Sequence, residues 1–411
     1  MWLRKIRYHM IRNKNILCMA LTTWDKDFVN TVVKMMSILS KQNRILFVDY
    51  EYTVKDIIAA LSGKQKVPVT RIIGLENRLR TVNTVYGSEI HVLTPPPVLP
   101  INWIKNDNPY RVLLKLNGNL VRGAIQRALK ALKMENPIVV NGYNPFFGLP
   151  LVGDFNELLN IYYCYDEIKG DQWYHFHGPE IEKEYIKKTD AVITTSDALF
   201  KSKSPLHQNC FVVKNGVDFD HFNSIADVKL KSPHAPRIVG YTGSIDERFD
   251  YELLSYSIKM LPEVQFHFIG RVTNEMARMA LKKYPNARFM GSRKPYEIPS
   301  LLKDMDVGII PYLKNEVTGG VYPLKINEYM AAGKPVVMSD FAKIPEFENL
   351  VWVANNKEAF LNSLRDALYN DSVEKMKARI EFSKHNSWEN RVEQFSSIVE
   401  RMLELKKERV I

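Results

Sequence analysis

The stretch TGGVYPLKINEYMAAGKPVV, Thr318 to Val337, decides how the chain is read. Paired glycines lead to a proline, then to Lys325 and Glu328 three positions apart, then to Gly333 and a β-branched run. Pro323 stands where a first helical position tolerates a residue without an N–H, and Gly333 where a helix closes on a left-handed residue. The pattern predicts a helix over about Pro323 to Ala332 feeding a strand at Pro335–Met338. A helix start presents free N–H groups and partial positive charge, and Gly319 and Gly320 let backbone approach a ligand, so this is a ready anion site. Spaced i and i+3, Lys325 and Glu328 share one helix face. A lysine there meets phosphate oxygens, while a carboxylate one turn deeper accepts hydrogen bonds from a ribose diol. An isolated KxxE is more often an exposed ion pair; here the glycines, the helix start and the following strand weigh against that.

Working outward, the same alternation of short β-rich runs and helical-period segments continues in both directions, as parallel βαβ units do. Towards the N-terminus lie VGIIPY, a helix from Pro295, ARFMG, a helix around Glu275–Lys283, VQFHFIG, a helix from about Asp250 and RIVGYT; VWVA lies beyond the stretch, at Val351. The polar segment KLKSPHAPR, ending at Arg237, reads as a linker. Before it, NILCMA, RILFVD, IHVL, PIVV, IYYC, AVITT and CFVV read as strands, with helices over Val29–Ser40 and Val112–Lys133. TPPPVLP (Thr94–Pro100) is a stiff loop, since three prolines fix φ and remove donors. The expected fold is α/β: two doubly wound halves facing a cleft.

The length of 411 residues favours two domains, and 45% hydrophobic with 25% charged residues is ordinary for a soluble protein. Cys18, Cys164 and Cys210 are far apart and lack metal-ligand spacing, which points to a reducing compartment. No apolar run reaches the ~18 residues of a membrane span, and the basic N-terminus lacks a following apolar h-region, so a cytoplasmic location is expected. The net charge of +11 is uneven: residues 1–133 hold 22 Lys+Arg against 8 Asp+Glu. Such a gradient suits a polyanion. No nucleic-acid recognition motif is present. WLRKIRYHMIRNK (Trp2–Lys14) interleaves apolar and basic residues as interfacial segments do, so residues 1–133 point to peripheral contact with an anionic inner membrane face.

Several motifs carry less. Asp25–Asp27, Asp218–Asp220 and Asp304–Asp306 match DxD, a weak pattern better read as caps or loop charges, and no metal is expected. GYTGS lacks the third glycine of a nicotinamide fingerprint. YCYDEIKGDQWYHFHG (Tyr163–Gly178) follows a strand and is rich in aromatics, acids and histidine; Asp166, His175 or His177 there could orient a hydroxyl or act as acid/base, against the equal alternative of a loop packing its own aromatics. Trp24 and Asp25, after the first strand, are candidates for acceptor contact, against the alternative of a packed Trp beside a solvated Asp.

Taken in order, these motifs resemble the GT-B glycosyltransferases of the group 1, family-4-like class, in its PLKxxEY-containing branch. The resemblance rests on NILCMALTTWDKDFVNTVVKMMSILSKQNRILFVD, TDAVITTSDAL with VVKNGVDFDHF, IVGYTGSIDERFDYELL, QFHFIGRV, FMGSRKPYEIPSLLKDMDVGIIPY, PLKINEYMAAGKPVV and SWENRVEQFSSIVERML. It implies an acceptor domain over 1–225, a nucleotide-sugar domain over 226–386, and a closing helix in 387–411 that returns to the first domain. It also implies metal-independent, retaining transfer of a sugar from a nucleotide diphosphate, UDP foremost, to a glycan or lipid-linked acceptor in cell-surface polysaccharide synthesis, with no further cofactor. Glu328 would hold the ribose, Gly243 and Ser244 would lie against the diphosphate, and Arg293 would frame the base. Arg271, Thr318, Gly319 and Gly320 complete the donor set. Lys325 and Arg248 would neutralise the leaving phosphates, where charge develops as the glycosidic bond breaks. Asp166 is the acceptor-side catalytic candidate, with Trp24, Asp25 and His177 contacting the acceptor. Two positions depart from the family pattern: Gly320 replaces a Glu eight residues before the ribose Glu, and Gly243 replaces an Arg five residues before Arg248. Two alternatives are a GT-B-like sugar-nucleotide 2-epimerase and a non-catalytic sugar-binding paralogue.

Overall fold

The computed structural model describes residues 10–25, 30–170, 174, 176–232 and 234–408. Trp2 to His9 of the basic segment, Asp27 and His175 lie outside them. The chain divides into two compact units, 1–214 with 391–411, and 215–390.

Among the described residues the first unit carries eight strands: β1 (Asn15–Ala20), β2 (Arg44–Val48), β3 (Leu79–Asn83), β4 (Glu89–Leu93), β5 (Ile138–Gly142), β6 (Leu159–Cys164), β7 (Ala191–Thr194) and β8 (Cys210–Val212). Their order is β3-β4-β2-β1-β5-β6-β7-β8, and every pairing is parallel except β3 with β4. The central strands are almost wholly buried, as strands covered by helices on both faces must be. β3 escaped the sequence reading because LRTVN is an edge strand with alternating, half-exposed residues and no apolar run. The helices Val54–Leu61 and Val69–Ile73 were likewise not anticipated, since the first buries none of its residues and so leaves no core-facing signature.

Among the described residues the second unit has six parallel strands: β9 (Arg237–Thr242), β10 (Val264–Ile269), β11 (Ala287–Gly291), β12 (Val307–Ile310), β13 (Val336–Ser339) and β14 (Trp352–Ala354), ordered β11-β10-β9-β12-β13-β14. The strand order reverses between β9 and β12, which opens a crevice at their carboxyl ends. The opening stretch forms the helix Leu324–Ala331 with Pro323 as its N-cap, and Gly333 follows at φ +74°. That helix is pinned under the crevice. Its Tyr329 hydroxyl accepts from the Thr242 N–H at 2.9 Å, and the Tyr329 ring occupies the place a Cβ on Gly308 would take. From its other face, Asn327 accepts a hydrogen bond from Asn386 at 3.0 Å and donates to the Tyr322 hydroxyl at 3.1 Å.

The last helix, Trp388–Glu408, belongs to the first unit from Arg391 onward. There Phe395 meets the edge of the Tyr163 ring at 6.2 Å and Lys406 pairs with Asp190 at 2.8 Å. Among the described residues no helix is long and apolar enough to cross a membrane.

Candidate active site

The crevice between β9 and β12 gathers most of the expected donor set. β9 ends in Thr242, and Gly243 then turns at φ +135°, a conformation L side chains rarely adopt. A Cβ on Gly243 would lie 2.7 Å from the Lys325 Nζ and closer still to Cε, so the missing side chain is what admits the lysine. Lys325 donates to the Tyr312 hydroxyl at 3.3 Å, and its amine lies 5.5 and 5.9 Å from the ring centroids of Tyr241 and Tyr312. Tyr241 donates to the Ser244 carbonyl at 2.8 Å, drawing the start of the loop inward.

Arg248 is clamped by Asp246 through two contacts, Nε to Oδ1 at 3.0 Å and Nη2 to Oδ2 at 2.6 Å, and its guanidinium lies 5.2 Å from the Tyr312 ring centre. Burial tends to raise the Asp246 carboxyl, but Arg248 outweighs it and holds the group below its usual range. The net positive charge facing the crevice therefore rests mainly on Lys325. Glu328 is part-buried and, among the described residues, its carboxylate makes no hydrogen bond or ion pair. Burial pushes its carboxyl up, and Lys325 partly restrains it. A shielded acceptor without a partner, one turn below a cation, suits a ligand that brings hydroxyl donors.

The remaining donor residues divide. Arg293, exposed on the loop after β11, and Arg271, exposed on the loop after β10, line the same carboxyl edge. The Thr318 side chain is fully buried and committed to its own turn: it bonds the Leu313 carbonyl at 2.5 Å, and Asn315 bonds the Thr318 N–H at 2.9 Å. Gly319 and Gly320 follow that turn. Gly320 has φ −85° and ψ −12°, and a Cβ there would meet nothing nearer than 3.8 Å. Neither Tyr241, Tyr312 nor Asp246 was singled out from the sequence, because tyrosines within strands or at their ends carry no spacing signal of their own.

In the first unit the corresponding reversal lies between β1 and β5. Just past β1, the Trp24 N–H donates to Asp49 at 2.7 Å and the Trp24 ring packs edge-on against Phe47 at 5.3 Å. Asp25 pairs with Arg80 at 2.6 Å and lies 3.9 Å from Arg71. Two buried carboxylates follow β2. Asp49 also accepts from Thr94 at 3.1 Å, and burial pushes it to about 6. Both oxygens of Glu51 lie 3.0 Å from the Asn144 amide nitrogen, and burial pushes it to about 8. Asp166 is exposed on the loop after β6, where it accepts from the Glu167 N–H at 2.9 Å. His177 sits apart in a packing role: Nε2 contacts the Ile104 carbonyl at 2.8 Å, Nδ1 faces Asp107 at 3.4 Å, and the ring stacks on Tyr110 at 3.9 Å.

The fold is shared with solved glycosyltransferases over nearly the whole chain. Sucrose-phosphate synthase from Thermosynechococcus elongatus aligns over 96% of this chain and 100% of its own, at a TM-score of 0.65 and 13% identity. The trehalose 6-phosphate synthase of Burkholderia multivorans gives 0.66 over 95% and 99%, at 10% identity. Anabaena HepE, solved with UDP and glucose, gives 0.61 over 95% and 100%, also at 10% identity. The fold is GT-B. Within it, residues 236–370 of the second unit match the family described as "Glycosyl transferases group 1". A putative teichuronic acid biosynthesis glycosyltransferase, TuaH of Bacillus subtilis (strain 168), is 27% identical over 165 residues, 38% of this chain. That match spans 42% of the length of the curated relative.

Proposed function

We propose that the chain transfers a sugar from a nucleotide diphosphate, UDP foremost, to a glycan or lipid-linked acceptor in cell-surface polysaccharide synthesis. The observation that carries this is the placing of Lys325, seated over Gly243, one turn from the Glu328 carboxylate, which makes no hydrogen bond or ion pair among the described residues, at the sheet's reversal point. In this reading Lys325, with Arg248, stabilises the charge that develops on the leaving diphosphate. Glu328 accepts the ribose hydroxyls; Gly243, Ser244, Gly319 and Gly320 border the phosphates and sugar; Thr318 shapes their turn; Arg271 and Arg293 face the base. Transfer is metal-independent and retaining. The acceptor side is assigned to the carboxyl edge of the first sheet, with Trp24, Asp25 and Asp166. His177 keeps that edge in shape through its contacts with Ile104 and Tyr110. UDP in the HepE structure and the teichuronic acid assignment of TuaH support the donor and product class.

The same reading places the chain on an anionic membrane surface through its basic N-terminal third. The helix Val54–Leu61 supports this, because it exposes Ile58 and Leu61 at 63% and 75% beside Lys55, Lys64 and Lys66.

The deciding experiment is a thermal-shift panel of UDP, GDP and dTDP with the wild type and Glu328→Ala. One nucleotide at a hundred times its Kd should stabilise the fold by about 2.7 kcal/mol, and Glu328→Ala should lose most of that. No shift with any nucleotide, and no effect of Glu328→Ala, would overturn the reading.

A further inference from the structure

The hydrogen bonds around Lys325 have a fixed direction. The Ser244 carbonyl can only accept, so the Tyr241 hydroxyl spends its one proton there, at 2.8 Å. At the 3.3 Å contact between the two tyrosine hydroxyls, Tyr312 must therefore be the donor. With its proton committed, Tyr312 turns an oxygen lone pair towards Lys325, and an ammonium can only donate, at 3.3 Å. Tyr312 is itself held firmly. The Ser339 hydroxyl donates to its carbonyl at 2.5 Å, its ring lies 5.0 Å from that of Phe341, and Leu313 next to it donates to the Arg248 carbonyl at 2.7 Å.

We propose that Tyr312 is the positioning residue for Lys325: a one-way chain, Lys325 to Tyr312 to Tyr241 to the Ser244 carbonyl, holds the ammonium above Gly243 and leaves two of its N–H donors for the diphosphate. The inference rests on the donor-site reading above and adds the residue that makes the cation ready before the nucleotide arrives. A lysine side chain is long and freely rotating, and one already tethered loses less freedom on binding. The same ring carries Arg248 at 5.2 Å, so one tyrosine orients both cations of the site.

The phenol is also sensitive to pH. It faces Lys325 from the helix below, with Glu328 behind, and Tyr329 from that same helix. Arg248 with Asp246 faces it from the loop after β9, and Tyr241 faces it from β9 itself. Asp250, Glu252, Lys314, Asp340, Lys357 and Glu358 line a pocket that Tyr312 also lines. Burial would raise the Tyr312 phenol, but Lys325 and Arg248 outweigh that and hold it below its usual value. Its phenolate would cancel one positive charge of the site, so nucleotide affinity should fall as pH rises through this ionisation.

The test is UDP, GDP and dTDP titration of the wild type, Tyr312→Phe, Tyr241→Phe, Lys325→Met and, as a control outside the chain, Tyr256→Phe, between neutral pH and about 10. Tyr312→Phe keeps both ring contacts and should bind about tenfold more weakly, with the alkaline fall in affinity moved to higher pH. Tyr241→Phe, which cuts the chain one link further on, should weaken binding in the same direction, and Tyr256→Phe should match the wild type. Wild-type affinity and an unmoved alkaline fall in both Tyr312→Phe and Tyr241→Phe, with Lys325→Met impaired, would overturn the proposal while sparing the donor site. A wild type that binds none of UDP, GDP and dTDP would overturn both.

Discussion

At Gly243 the backbone is held at φ +135° with Lys325 in the space of a side chain, whereas at Gly320 it sits at φ −85° and a Cβ would meet only the Val317 carbonyl oxygen, at an ordinary 3.8 Å. Both glycines depart from the pattern of the class that the sequence resembles, and only the first is demanded by the structure. Gly243→Ala should cost about 1–2 kcal/mol from the backbone conformation and, by displacing Lys325, abolish the nucleotide-induced thermal shift. Gly320→Ala should fold normally and gain about 0.5 kcal/mol from the stiffer unfolded chain, read by urea denaturation. Lys325 and Glu328 were legible in the sequence because their spacing and punctuation encode a helix start. The reason for Gly243 was not, because the side chain that requires it comes from residue 325, a contact only the fold creates. Tyr241 and Tyr312 were hidden for the same reason.

Elements with a periodic apolar pattern were read correctly from the sequence, notably the buried parallel strands and the helix before Gly333. Those with weak burial, such as β3 and the helix Val54–Leu61, were missed, because surface elements need no pattern. The end of β2 illustrates a further hidden layer. Asp49 and Glu51 look like ordinary polar residues after a strand, yet both are buried at the carboxyl edge of the first sheet. Glu51 rises from 4.5 to about 8 on folding, so the folded chain binds the extra proton between those values. Its stabilising contribution is complete below about 4.5 and is lost as pH climbs through 8. Glu51→Gln keeps the shape, stays neutral and leaves the Asn144 amide an acceptor. It should flatten the decline in melting temperature between pH 6 and 8 relative to the wild type, and an unchanged slope would rule Glu51 out as its source.

For the whole molecule, charge is the coarsest property and the easiest to read. The excess of 22 Lys+Arg over 8 Asp+Glu in residues 1–133 needs no structure. What it serves is the proposed membrane contact, and that has a direct check. The wild type should co-sediment with vesicles containing anionic lipid and dissociate as salt rises. Ile58→Ser with Leu61→Ser should weaken sedimentation without lowering the melting temperature, since both side chains are exposed. Deleting Trp2 to Lys14 should weaken it as well. Equal binding by all three proteins would remove the membrane contact.

The composition of the first unit sets a schedule for its synthesis. It is assembled from 1–214 and 391–411, so the whole of 215–390 must be translated before its closing segment exists. At ~5–20 residues per second that interval is on the order of 10–35 s. Throughout it, Tyr163 lacks Phe395, Asp190 lacks Lys406 and Phe211 lacks the Arg401 guanidinium that lies 5.8 Å from its ring centre. The second unit, contiguous in sequence, needs no such later segment, whereas the first waits with that seam open to chaperones.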